Sequence, residues 1–153
     1  MKRTSLTFAV FAMVVSAFMP ALASDKSDVM AVVQTWANSF NSGDIEAGGA
    51  VCAADAVVLD DFPPHVWQGS DACGKWFKGY SAMAIKASIT DGKIVVGVPR
   101  HLDVESGDAY LVAPVVLTFN KSGKPVKDDG VVTMALRKGD AGWRITGWAW
   151  ADQ

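Results

Sequence analysis

Apolar residues recur at helical spacing between Asp25 and Asn41. Val29, Val32, Val33, Trp36, Ala37 and Phe40 fall at i, i+3, i+4, i+7, i+8 and i+11, which places them on one helix face. Asp25, Ser27 and Asp28 are suited to cap the start of this helix, and Gly43 to end it in the left-handed position. Asp44 then caps a short second helix to about Ala53, in which Gly48 and Gly49 suggest close packing against a neighbour. Ala56 to Leu59 is a short β-rich run. Asp60 to His65 is a loop, because Pro63 and Pro64 interrupt pairing. Val66 to Gln68 reads as extended, Gly69-Ser70-Asp71 as a turn and cap, and 71–83 as a third helix with Ala72, Cys73, Trp76, Phe77 and Tyr80 inward.

From Ala84 onward the period changes to two. Strand-like segments lie around 85–90, 93–99, 101–106, 108–119, 129–138 and 142–151. Turn residues separate them at Asp91-Gly92, Ser106-Gly107-Asp108, Asn120 to Pro125 and Gly139 to Gly142. Helices first and an antiparallel meander afterwards define an α+β arrangement, with three helices covering one face of one sheet.

The N-terminal segment has a different pattern. Lys2 and Arg3 precede an apolar run from Leu6 to Met19, and Pro20 and Ala21-Leu22-Ala23 follow. Positive charge, apolar stretch and a small-x-small site, in that order, predict a cleavable secretory signal over residues 1–23. The run is shorter than the ~20 residues of a spanning helix. Its removal leaves residues 24–153 as one domain in a secreted, periplasmic setting, with no membrane attachment. Without Lys2 and Arg3 the balance is 12 basic against 16 acidic residues, and no basic stripe suggests a nucleic-acid surface.

Export changes how the cysteines read. Cys52 and Cys73 are the two in the chain. In an oxidising compartment an even pair reads first as a disulfide, with two buried thiols as the alternative. Neither has a histidine at ligand spacing, so no metal is expected, and no nucleotide or cofactor fingerprint occurs. All 6 tryptophans follow the signal, a load that suits an aromatic-lined cavity or a subunit interface.

Two stretches carry a resemblance. Met30 to Trp36 continues through Phe40-Asn41-Ser42-Gly43-Asp44 and Ala53-Ala54-Asp55-Ala56-Val57-Val58 to Gly69, and the chain ends on Gly142-Trp143-Arg144-Ile145-Thr146-Gly147-Trp148-Ala149-Trp150. Over nearly all of 26–151 this resembles the nuclear transport factor 2-like superfamily, which includes SnoaL-like domains and ketosteroid isomerases. The resemblance implies a cone, with helices closing a strongly curved, mostly antiparallel sheet around a pocket, and a subunit that commonly dimerises.

It also directs attention to particular residues. Asp60 corresponds to the place where ketosteroid isomerases keep a carboxylate base, and Trp36 to their helix 1 oxyanion-hole tyrosine. An indole N–H donates a hydrogen bond but no proton, and Val131, Val132, Thr133 and Met134 offer no partner acid. Both changes argue against the family's isomerisation mechanism. His65, near Asp60 in the Pro-rich loop, is a candidate acid–base partner; a solvent-facing loop histidine is the alternative. Trp36, Phe40, Trp67, Trp76, His101, Tyr110, Thr118 and Thr133 are candidate pocket residues.

The last strand has two possible phases. In the preferred one, Trp143, Ile145, Gly147 and Ala149 face inward, and Trp148 and Trp150 form an outer patch for a homodimer. In the other, Trp148 and Trp150 line the cavity. The expected function is that of an exported domain binding a small apolar or aromatic molecule without cofactor. The alternative is an isomerase, dehydratase or hydrolase with Asp60 as general base.

Overall fold

The structure, a computed structural model, describes the backbone of residues 19–153 and the side chains of 24–153; the predicted signal, 1–23, lies almost entirely outside these described residues. Three helices, α1 (Met19–Ser42), α2 (Ile45–Ala50) and α3 (Ala72–Lys86), pack on a sheet of seven strands. The strands are β1 (Cys52–Leu59), β2 (Val66–Trp67), β3 (Ile89–Val96), β4 (His101–Glu105), β5 (Asp108–Lys121), β6 (Lys124–Gly139) and β7 (Gly142–Asp152). Their order is β2-β1-β7-β6-β5-β3, with β4 also on β5. All pairings are antiparallel except β1 with β7. This is the α+β arrangement expected from the pattern, closed into the cone that the resemblance implies. Among the described residues, no helix is long and apolar enough to cross a membrane.

The apolar face of α1 seats the helix in the cone. Val29, Val33, Trp36 and Ala37 are buried, while Val32 and Phe40 are partly so. Gly43 ends the helix at φ 72, and Asp44 caps α2 by accepting from the Ala47 N–H at 2.9 Å. A Cβ on Gly48 would lie 2.3 Å from the Phe77 ring, so the glycine lets α2 approach α3. Cys52 and Cys73 form a disulfide that ties β1 to α3.

Several boundaries differ from expectation. Helix α1 already runs from Met19, the first described residue, so Asp25 lies within it and caps nothing. Its carboxylate instead accepts from Lys138 Nζ at 2.5 Å and Trp143 Nε1 at 3.3 Å, tying the helix to the β6–β7 hairpin. The Lys138 ammonium holds that carboxyl below its usual pKa. Helix α3 continues to Lys86, into the segment expected as strand. Asp71 precedes it at φ 60 without a side-chain cap. Asp91-Gly92 is a bulge inside β3, where pairing with β5 shifts between Thr90 and Lys93.

Curvature follows from such irregularities. Register shifts also occur between Cys52 and Val57 on β1 and at Ala135/Leu136 on β6. Strand β5 is shared lengthwise, its first half pairing with β4 and its second with β3. The connection crosses near Pro114, whose carbonyl accepts from the Gly97 N–H at 2.8 Å.

The β6–β7 bulge decides the phase of the last strand. Ala135 opposes Gly147 and Leu136 opposes Ile145, so Thr146 is the extra residue. Trp143 and Ile145 point inward before it, and Trp148 and Trp150 point inward after it. The expected outer patch of Trp148 and Trp150 is therefore corrected: Trp148 is 3% exposed and both indoles wall the cavity. Strict alternation fails across a bulge because one added residue flips every later side chain.

Candidate functional site

The concave face of the sheet and helices α1 and α3 enclose a cavity of about 170 Å³. Helix α1 supplies Trp36 and Phe40, and α3 supplies Trp76, Tyr80 and Met83. The loop after β1 supplies Asp60, Asp61 and Phe62, and the sheet closes the far side with Leu117, Phe119, Trp148 and Trp150. Asp128 stands at the β6 edge of the same space.

The innermost wall is a cluster of indoles. Trp148 meets Trp76 edge-to-face with ring centroids 4.6 Å apart, and meets Trp36 in the same manner at 5.2 Å. Phe40 and Tyr80 extend it, their rings 4.9 Å apart. Such tilted contacts set the positive ring edge against a negative face and hold the side chains rigidly. The Trp36 and Trp148 indole N–H groups are buried without an acceptor in the protein. Trp150 packs over Gly130, where a Cβ would come within 2.3 Å of the indole.

Asp60 is the polar group that this cluster meets in the cavity, through Trp76. Its Oδ2 accepts from Trp76 Nε1 at 2.6 Å and its Oδ1 from the Asp61 N–H at 2.7 Å. Burial among the aromatic rings disfavours the charged form, and the adjacent Asp61 carboxyl adds to the effect. Together they push the Asp60 carboxyl up to about 7, despite the two stabilising N–H donors. The same neighbourhood pushes the Tyr80 hydroxyl up to about 12, through burial first and the Asp60 charge second. At the mouth, burial raises the Asp128 carboxyl, and the nearby Asp152, Asp61 and Asp129 charges raise it further.

Of the residues singled out in the sequence, Asp60, Trp36, Phe40 and Trp76 converge on this cavity. The others lie elsewhere. The His65 side chain is exposed, and its Nδ1 lies 3.1 Å from the Asp60 backbone carbonyl. An Asp60–His65 carboxylate–imidazole pair therefore does not form. Trp67 is buried behind the cavity wall against Phe62, with centroids 4.9 Å apart. His101 and Tyr110 pair with each other on the sheet, ring centroids 5.8 Å apart, and Tyr110 is exposed. Thr118 is exposed, and Thr133 lies between the inward-facing Val132 and Met134, on the opposite face. Asp61, Phe62, Tyr80 and Asp128 were not anticipated at the site. Only the inward phase of α3 pointed to Tyr80, and nothing local marks Asp128.

A helix-closed, strongly bent sheet of this topology defines the nuclear transport factor 2-like fold class. Similar solved structures share it. An NTF2-like protein with a cystatin-like fold from Novosphingobium aromaticivorans superposes with a TM-score of 0.76 at 19% identity, covering 92% of each chain. A nuclear transport factor 2-like superfamily protein from Salmonella enterica gives 0.73 at 14% identity over 86% of this chain and 92% of its own. A ketosteroid isomerase-like protein from Erwinia carotovora gives 0.66 at 16% identity over 84% and 95%. Within that class, residues 29–149 match the model of the SnoaL-like domain, and the chain belongs to that family. No curated protein sequence matches it.

Proposed function

We propose that this SnoaL-like domain acts outside the cytoplasm as a binder of a compact, largely apolar molecule, with Asp60 as its polar anchor. The aromatic cavity with the half-buried Asp60 carboxyl on its lining supports this reading. A void of about 150 Å³ accommodates a benzene-sized molecule, so about 170 Å³ suits a single ring with short substituents rather than a fused multi-ring skeleton. Enclosure by rings gives affinity through buried apolar area, and a few polar groups fix orientation.

Catalysis at Asp60 is the second reading, favoured by a carboxyl near 7, where a general base works best at neutral pH. The first reading is preferred because the side-chain partner of Asp60 is the Trp76 indole, which relays no proton, and no histidine joins the site.

The test uses three one-ring probes, tyrosol, tyramine and para-hydroxyphenylacetate, followed by calorimetry. At least one binds the native protein with unit stoichiometry, and binding is lost in a cavity-filling Leu117→Trp variant that remains folded. Heat that is absent for all three, or unchanged in the filled variant, contradicts the proposal.

The homodimer is proposed on a different set of residues from that expected. On the outer sheet face, Val95 and Tyr110 are 66% and 47% exposed, and Val112, Pro114, Val116 and Val131 lie on the same face between inward-facing neighbours. A continuous apolar stripe across β3, β5 and β6 suits a second copy.

A further inference from the structure

We propose, building on the binding role above, that the cavity selects a cation: a compact amine whose positive centre sits at the mouth among Asp60, Asp61 and Asp128, and whose far end presents an acceptor oxygen to the inner indoles.

The charge on the cavity wall is all of one sign. Its ionisable lining consists of the three aspartates and Tyr80, with no lysine, arginine or histidine. Among the described residues, none of the three aspartates is ion-paired; the nearby Lys127 is taken by Asp129 at 2.6 Å. The fold therefore gathers three carboxyls around an apolar opening and leaves them uncompensated. Burial first, and the neighbouring like charges after it, raise the proton affinity of both Asp60 and Asp128, with Asp61 acting on each. A bound cation removes that repulsion.

The wall material fits the same ligand. Indole faces attract a cation through the ring quadrupole, more strongly than other aromatic side chains. Trp150, lying over Gly130 two residues from Asp128, is the indole beside the carboxyls for this role, while Trp76 turns its N–H edge to Asp60 at 2.6 Å. A metal ion is the other cation an acidic mouth suggests. Among the described residues, however, no three carboxyl, imidazole or thiol groups converge closely enough to hold one. An organic ammonium needs no such convergence, because each of its three N–H donors is satisfied by a single acceptor and no closed coordination shell is required.

The deep end has a separate requirement. Trp36 and Trp148 are 2% and 3% exposed, both wall the cavity, and their N–H groups have no acceptor. A buried donor without a partner is costly, and an acceptor oxygen on the ligand is the partner that the protein does not supply. An amine at one end and an oxygen at the other, joined by one ring, meets both requirements within about 170 Å³.

Affinity for such a cation is coupled to Asp60, which is faced by Asp61 from its own loop and by Trp76 and Tyr80 from α3, with Asp128 of β6 on the lining of the same cavity. A cation favours the ionised carboxyl, so binding weakens as pH falls below about 7.

Calorimetry on the intact protein separates the possibilities. Tyramine and tyrosol share ring, hydroxyl and length and differ in charge, and para-hydroxyphenylacetate carries the opposite charge. Tyramine is expected to bind at least tenfold more tightly than tyrosol, para-hydroxyphenylacetate more weakly still, and phenethylamine, which lacks the oxygen, severalfold more weakly than tyramine. Asp128→Asn and Asp61→Asn are expected to lower tyramine affinity severalfold and leave tyrosol affinity unchanged, which mere unfolding cannot imitate. If tyrosol or para-hydroxyphenylacetate binds as tightly as tyramine, the cation inference falls and the binding role stands. If phenethylamine matches tyramine, the oxygen requirement falls. If no probe binds, both readings fall.

Discussion

At the residue scale, Asp60 has a measurable signature. A carboxyl raised to about 7 in the folded protein, against 3.8 in the open chain, binds its proton more tightly when folded. Between those values the folded state holds more protons than the unfolded one, so this group's contribution to stability decreases as pH rises and levels off above about 7. Asp60→Asn removes the dependence. Urea denaturation at about pH 8 is expected to show the variant more stable than wild type by roughly 2 kcal/mol, allowing for the screening of a half-buried group, with little difference at about pH 4. Gly130 is the second diagnostic position. Its missing Cβ is the space Trp150 fills, so Gly130→Ala forces the indole out, at about 1–3 kcal/mol by urea denaturation, and weakens probe binding measured by calorimetry.

At the element scale, legibility depended on regularity. The α1 face, Gly43, the Asp44 cap and the tight Gly48 contact followed from spacing and side-chain size, because each is a local effect. The phase of β7 did not. Its bulge is set by pairing with β6, and no local residue type announces it, so the sequence leaves two phases open and the preferred one puts Trp148 and Trp150 on the outer face. The end of α3 was misplaced for a related reason: Ala84, Ile85 and Lys86 suit either element, and the tertiary structure selects helix. The Cys52–Cys73 bridge joins β1 to α3, closing the segment that contains the Asp60 loop and β2. Closing a chain segment of that separation, 21 residues, stabilises by roughly 3 kcal/mol in the chain-entropy model. The Cys52→Ser/Cys73→Ser protein is accordingly expected to unfold at lower urea concentration by about that amount. An unchanged midpoint would count against the bridge.

At the scale of the whole molecule, the cone explains how distant positions meet. Asp60 and Asp128 belong to a loop and a strand that the sheet's curvature brings to one opening, which is why Asp128 gave no signal in the sequence. The same curvature leaves the convex face with its apolar stripe. If a second copy covers it, Tyr110→Glu yields a monomer by sedimentation while the wild type runs as a dimer, and probe affinity is preserved because Tyr110 lies outside the cavity. A monomeric wild type would contradict that assembly.

The central claim is that the indole-walled cavity at Asp60 is the binding site, and heteronuclear NMR of the 6 indole N–H groups tests it most directly. On titration with tyramine, the Trp36, Trp76 and Trp148 resonances are expected to move together to a common saturation point. Trp143, held by Asp25 at 3.3 Å away from the cavity, is expected to stay in place. Cavity indoles that remain unmoved, or a shift in Trp143 equal to theirs, would contradict the account.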